Sequence, residues 1–191
     1  MSRCAGDISA RRSVTNLSAI LEGGPVRLEP LAQHHLEPLR AACAEDPEIW
    51  EIYPVNMLGD DFDAAMERFH AMDNWVKFAV IDAATGQLVG MTNYISPDAF
   101  GVVEIGGTYI APMARRTGFN RAMKKLLIEH AFANGFRKIR FNIDTRNTRS
   151  MAAVAKLGAL REGTLRQDRI TWTGYIRDTA VFGLLREEWA G

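Results

Sequence analysis

The residues best suited to chemistry fall in one stretch, Ile110 to Lys125. An apolar segment ends at Ala111-Pro112, and Arg115-Arg116-Thr117-Gly118-Phe119-Asn120 then opens directly into an amphipathic run. Unpaired N–H groups at a helix start point outward, the helix dipole adds partial positive charge, and Gly118 lets the main chain approach an anion closely. Arg115, Arg116 and Arg121 would add charge-assisted bonds, their forked donors suiting phosphate oxygens. A plain strand-to-helix connection could use the same residues, so the loop alone leaves both readings open. Neither a Gly-rich loop ending in Gly-Lys-Ser/Thr nor a three-glycine dinucleotide fingerprint occurs.

The flanking elements follow from periodicity. Alternation predicts strands at Pro25–Leu31, Val76–Val80, Leu88–Ile95, Val102–Ile110, Ile139–Ile143, about Ala159–Arg166 and Tyr175–Leu185. Helical spacing predicts helices over His34–Ala44, from Asp60-Asp61 to near Asn74, from Phe119 to a cap at Gly135, and from Asn147 or Thr148 to a cap at Gly158. The order β-α-α-β-β-β-α-β-α-β-β describes a mixed α/β (α+β) layer with one core. No repeat, low-complexity tract or linker divides it.

At 191 residues and 47% apolar content, with a mean hydropathy of −0.12, the chain has the composition of one soluble domain. Its 23 basic and 23 acidic side chains cancel, but unevenly: residues 1–95 carry 7 and 14, residues 96–191 carry 16 and 9. A basic second half could meet a phosphate, or the two halves could simply solvate opposite faces. Cys4 and Cys43 have no partner at metal-ligand spacing, and His34, His35, His70 and His130 show no ligand pattern, so no metal is expected. No apolar run spans a membrane or makes a secretory signal, which makes the cytoplasm the expected compartment. Residues 1–16, rich in Arg and Ser, read as a disordered extension or a weak transit-like segment, with the domain proper at 17–191.

The loop Arg115-Arg116-Thr117-Gly118-Phe119-Asn120, together with Asn147-Thr148-Arg149-Ser150 and Lys156-Leu157-Gly158-Ala159 about 30 residues on, resembles the paired motifs of the GCN5-related N-acetyltransferases (GNAT). The branch it resembles includes the ribosomal-protein alanine acetyltransferases. Asn120 and Ala122 depart from the family pattern. The resemblance covers roughly Leu21 to Trp189 and implies a single GNAT-like domain whose central strands splay apart, with the pantetheine arm of acetyl-CoA in the gap. It implies that strand-edge groups of Tyr109, Ile110 and Ala111 pair with that arm. Arg115, Arg116, Thr117, Gly118, Phe119, Asn120 and Arg121 would hold the phosphates, with Lys124 or Arg149 as further contacts. Asn147 would act beyond its N-cap role in holding pantetheine.

For catalysis the resemblance offers Glu104 as general base, with water-mediated deprotonation as the competitor, and Ser150 as donor to the departing sulfur. Tyr109 and Tyr175 are rival donors or packing residues. The Gly106-Gly107 pair replaces an aromatic found in related chains, which could widen the acceptor pocket. The acids between Glu45 and Glu67 either steer a cationic acceptor or solvate a helical face. The expected activity is acetyl transfer from acetyl-CoA to a primary amine, by direct attack in a ternary complex. A non-catalytic acyl-CoA-binding module and an RNA-associated protein are the alternatives. No membrane partner and no nucleic acid are expected, and the resemblance allows a homodimer.

Overall fold

The computed structural model describes residues 17–191, and the N-terminal extension lies outside them. The strands are β1 (Leu21–Gly23), β2 (Val26–Pro30), β3 (Trp75–Asp82), β4 (Leu88–Ile95), β5 (Val102–Ile110), β6 (Lys138–Asp144), β7 (Leu160–Ile170) and β8 (Ile176–Leu185). The helices are α1 (Leu36–Ala44), α2 (Asp61–His70), α3 (Phe119–Ala133) and α4 (Thr148–Ala155). All eight strands join one sheet in the order β1-β2-β3-β4-β5-β6-β8-β7. The β5–β6 pair is parallel and the other neighbours are antiparallel.

The mixed α/β order agrees with the sequence reading, with one strand added. Three-residue β1 is too short to display a period, and it forms because Gly24, at φ +55°, turns the chain back on β2. β7 runs four residues past its expected end, to Ile170, and α2 stops at His70. The apolar stripe of α3 is also rotated: Phe119, Met123, Leu127, Ile128 and Ala131 are buried, while Ala122, Leu126 and His130 sit at its margin. Lys124 falls inside that buried stripe.

The core lies on both faces of the sheet. β4 is buried at seven of its eight positions, as a strand covered on both sides must be. The Tyr94 hydroxyl on β4 donates to the Leu127 carbonyl of α3 at 2.6 Å. The Tyr109 hydroxyl on β5 donates to the Ala42 carbonyl of α1 at 2.6 Å. These two bonds tie helices to the strands that border the site.

Candidate active site

β5 and β6 pair only from Val102↔Lys138 to Glu104↔Arg140 and then diverge. The cause is local. A register shift interrupts β4–β5 between Met91 and Asn93, and Gly107, at φ +55°, provides the left-handed residue of a β-bulge. Asn93, fully buried, holds the bulge by donating Nδ2 to the carbonyls of Gly106 and Gly107, both at 3.2 Å. A Cβ on Gly107 would come within 2.6 Å of that same Nδ2, and one on Gly106 within 2.8 Å of Glu104 Oε1. The glycine pair therefore makes the bend. Both glycines line the cleft, and the Trp75 ring lies 3.8 Å from where a Gly107 Cβ would stand.

The divergence opens a cleft of about 360 Å³, lined by Ile49, Trp50, Tyr53, Phe69 and Trp75 on one wall and by Asn147, Arg149 and Ser150 on the other. Arg116 and Asn120 line its mouth and Glu104 and Lys124 its interior. Gly118 has φ +85° as the N-cap of α3, so glycine is needed there for backbone conformation. Among the described residues, the N–H groups of Gly118, Asn120 and Arg121 have no protein partner. Phe119 N–H makes a long bond, 3.4 Å, to the Thr117 hydroxyl, which itself donates to the Ala114 carbonyl. Arg116 and Arg121 are exposed beside these donors.

Arg115 is held elsewhere. Its guanidinium pairs with Asp46, its Nε donates to the Ile110 carbonyl at 2.7 Å, and it lies 5.7 Å from the Tyr109 ring. Ala111 N–H donates to Val89 on β4 at 2.7 Å, so strand alternation directs the main-chain groups of Ile110 to the open edge. Arg115 occupies the Ile110 carbonyl and the Tyr53 hydroxyl occupies that of Thr108, which leaves Ile110 N–H facing the gap. Lys124 lies away from the loop, its Nζ donating to Thr108 Oγ1 at 2.9 Å.

Glu104 accepts from Asn142 Nδ2 at 2.6 Å, and burial raises its carboxyl above the usual range against the lowering pull of Arg169, Asn142, Arg140 and Arg177. Asn147 Oδ1 caps Ser150 N–H at 3.0 Å, which starts α4 and puts Ser150 on the cleft wall. The rival tyrosines are both engaged. Tyr109 spends its hydroxyl on Ala42 and stacks on Trp50 at 4.8 Å, and Tyr175 lies under the Arg146 guanidinium at 3.7 Å, off the cleft lining.

The family model for the acetyltransferase (GNAT) domain matches residues 26–160. The chain belongs to the GNAT family of acetyltransferases. A probable GNAT acetyltransferase from Chromobacterium violaceum shares 30% identity over all of this chain and 96% of its own, with a TM-score of 0.87. A GCN5-related N-acetyltransferase from Brucella melitensis shares 30% identity over 90% of this chain and 80% of its own, TM-score 0.81. Mycobacterium smegmatis RimJ in complex with CoA-disulfide, at 18% identity over 92% and 91%, shows a shared fold, TM-score 0.77. No curated protein matches the chain.

As a GNAT member the protein is an acetyltransferase whose acyl donor is acetyl-CoA. The free N–H groups after Gly118 fit the phosphates of that donor. Several GNAT cleft residues escape sequence reasoning. Tyr53 reaches Thr108 from 55 positions away, and Arg169 and Arg177 enter from the β7–β8 hairpin. Lys124 enters the sequence reading only as a further phosphate contact, and the structure turns its Nζ to Thr108 instead. Apart from the cleft, Glu29, His34 and His35 come together despite lacking ligand spacing in sequence, but Ala32 N–H donates to His35 Nδ1 at 3.1 Å. A neutral His35 must then carry its proton on Nε2, which removes that nitrogen as a metal ligand.

Proposed function

We propose that this GNAT protein transfers the acetyl group to a primary amine, by direct attack on the thioester while both substrates are bound. The observation that supports it is the cleft itself. It runs from unpaired N–H donors behind Gly118 to a half-buried, hydrogen-bonded carboxyl at Glu104. In this reading Arg116, Thr117, Gly118, Phe119, Asn120 and Arg121 form the phosphate cradle, Thr117 by shaping the loop and Phe119 by anchoring it in the core. Ile110 N–H and Asn147 Nδ2 hold the pantetheine arm. Arg115, with Tyr109 and Ala111, braces the strand that borders the arm.

Glu104 takes the proton of the incoming amine, and its raised carboxyl weakens the mismatch between a carboxylate base and an ammonium acid. Ser150 donates to the departing thiolate. Orientation supplies much of the rate, since well-placed pairs reach effective molarities of roughly 10⁵ M or more. We place the reaction in the cytoplasm, on cysteine usage; among the described residues no helix is long and apolar enough to cross a membrane.

The decisive experiment compares thermal unfolding with acetyl-CoA, dephospho-CoA and NAD. At 100 times its Kd acetyl-CoA should add about 2.7 kcal/mol of stability. Arg116→Ala should reduce that gain and Gly118→Asp abolish it, since the aspartate puts bulk and negative charge against the donors. A Gly118→Asp protein stabilised as strongly as the wild type would sink the proposal.

A further inference from the structure

Arg177 on β8 is 5% exposed and lines the cleft. Its Nε and Nη2 both donate to the Thr179 hydroxyl, at 3.1 and 2.9 Å. The Thr179 hydroxyl in turn donates to Asp168 Oδ2 at 2.7 Å. Among the described residues no carboxylate stands within ion-pair distance of Arg177. Arg115, Arg146 and Arg169, by contrast, are paired with Asp46, Asp144 and Asp168. A buried guanidinium without a direct ion-pair partner is costly, because removing a charge from water is repaid fully only by close contact, and Asp144, Asp168 and Glu104 act on Arg177 only from beyond ion-pair distance. Burial, and after it the like charge of Arg169, push Arg177 below the ordinary guanidinium value against the opposing pull of Asp144, Asp168 and Glu104.

The cleft lining is unbalanced in the same sense. Among the described residues Glu104 and Asp144 are its only acids, against five arginines and Lys124, and Asp144 is already taken by Arg146. The acids of the first two helices, for which steering a cationic acceptor and solvating a helical face are both open readings of the sequence, are absent from the lining. Glu45, Glu48, Glu51, Asp60, Asp61, Asp63 and Glu67 are exposed and off the lining, Asp63 being paired with Arg40, and Asp46 is taken by Arg115. Glu104 and Arg177 therefore offer the cleft one acid and one unpaired cation, too far apart to form an ion pair with each other.

We infer that the acetyl acceptor bears a carboxylate near its amine, bound by Arg177 with Arg169 beside it, while Glu104 receives the amine. This rests on the transferase reading above. A forked guanidinium can grip both carboxylate oxygens, and the anion supplies the missing counter-charge. Two sources share that chemistry: the α-carboxylate of a free amino acid, and the side chain of an acidic residue at a peptide N-terminus.

The test is CoA release by the full chain with acetyl-CoA and matched acceptors. One arm sets free amino acids against their carboxamides. The other sets C-terminally amidated peptides beginning with Asp or Glu against those beginning with Asn or Gln. In one arm the acid should exceed its amide at least about tenfold in kcat/KM, a difference of about 1.4 kcal/mol. Arg177→Gln should bring that ratio close to one by raising KM for the acid far more than for the amide. Its Tm without acceptor should be at or above wild type, since an unpaired buried charge is gone. Arg169→Gln, altered at a more exposed position, should lower the ratio in the same direction and covers the case of a misfolded Arg177 variant. A wild-type ratio near one in both arms, or a ratio intact in the variants, overturns the inference. No acid acetylated while acetyl-CoA still raises Tm overturns this inference alone; no stabilisation by acetyl-CoA overturns the transferase reading itself.

Discussion

Lys124 sits 6% exposed among apolar side chains, with its Nζ on Thr108 Oγ1 and 5.7 Å from the Phe141 ring. Burial pushes its pKa down to about 7, opposed by Glu104. An unfolded lysine keeps its proton to near 10.5. Between these values the unfolded chain binds more protons than the folded one, so Lys124 makes stability rise with pH from about 7 towards 10.5. Below pH 7 both states are protonated and the slope vanishes. Lys124→Met removes a buried charge and should stabilise the protein by about 1 to 3 kcal/mol near pH 7, a gain that shrinks as pH rises. Urea unfolding of both proteins at several pH values checks this, and a destabilised variant with the wild-type pH slope would refute it.

The bulge in β5 links a local conformation to the opening of the sheet. Gly107 needs its positive φ, and Asn93 has no room to retreat because it is fully buried between the two glycine carbonyls it bonds. Gly107→Ala therefore forces a residue with a side chain into the left-handed region and against Asn93, at an expected loss of about 1 to 3 kcal/mol. If the bulge positions Glu104 and the edge of β5, turnover should fall further than stability does. Measuring kcat/KM beside the urea midpoint separates the two, and full turnover in a folded Gly107→Ala protein would dissociate the bulge from the site.

Across the whole molecule, the β7 edge is the least covered part of the sheet. All eleven residues of β7 are exposed, including Leu160, Leu165 and Ile170, and Ile176 on β8 adds to the same surface. A long edge strand with unpaired main-chain groups invites pairing with another chain. We expect a homodimer to cover it. Sedimentation velocity should then give a dimer that Leu165→Glu converts to monomer, and a wild-type monomer at high concentration would dismiss the expectation. The hairpin is also anchored inward, since Trp172 Nε1 donates to the Trp50 carbonyl at 2.7 Å. Pairing at β7 would thereby brace one wall of the cleft.

What was readable in the sequence is what local rules control. Alternation placed β3 to β6, helical spacing and terminal glycines placed α3 and α4, and the Arg115–Asn120 loop with Asn147–Ser150 carried the family resemblance. Hydrophobic period and turn chemistry act over a few neighbours, so one chain reports them. Tertiary structure alone decided that Arg115 belongs to Asp46, 69 positions away, that Tyr53 caps Thr108 and that Arg177 is buried with no direct ion-pair partner among the described residues. It also decided that the acids of the first two helices lie outside the cleft lining. Charge and burial at a site depend on which distant side chains meet and how far water is excluded, and neither quantity exists until the sheet has closed around them.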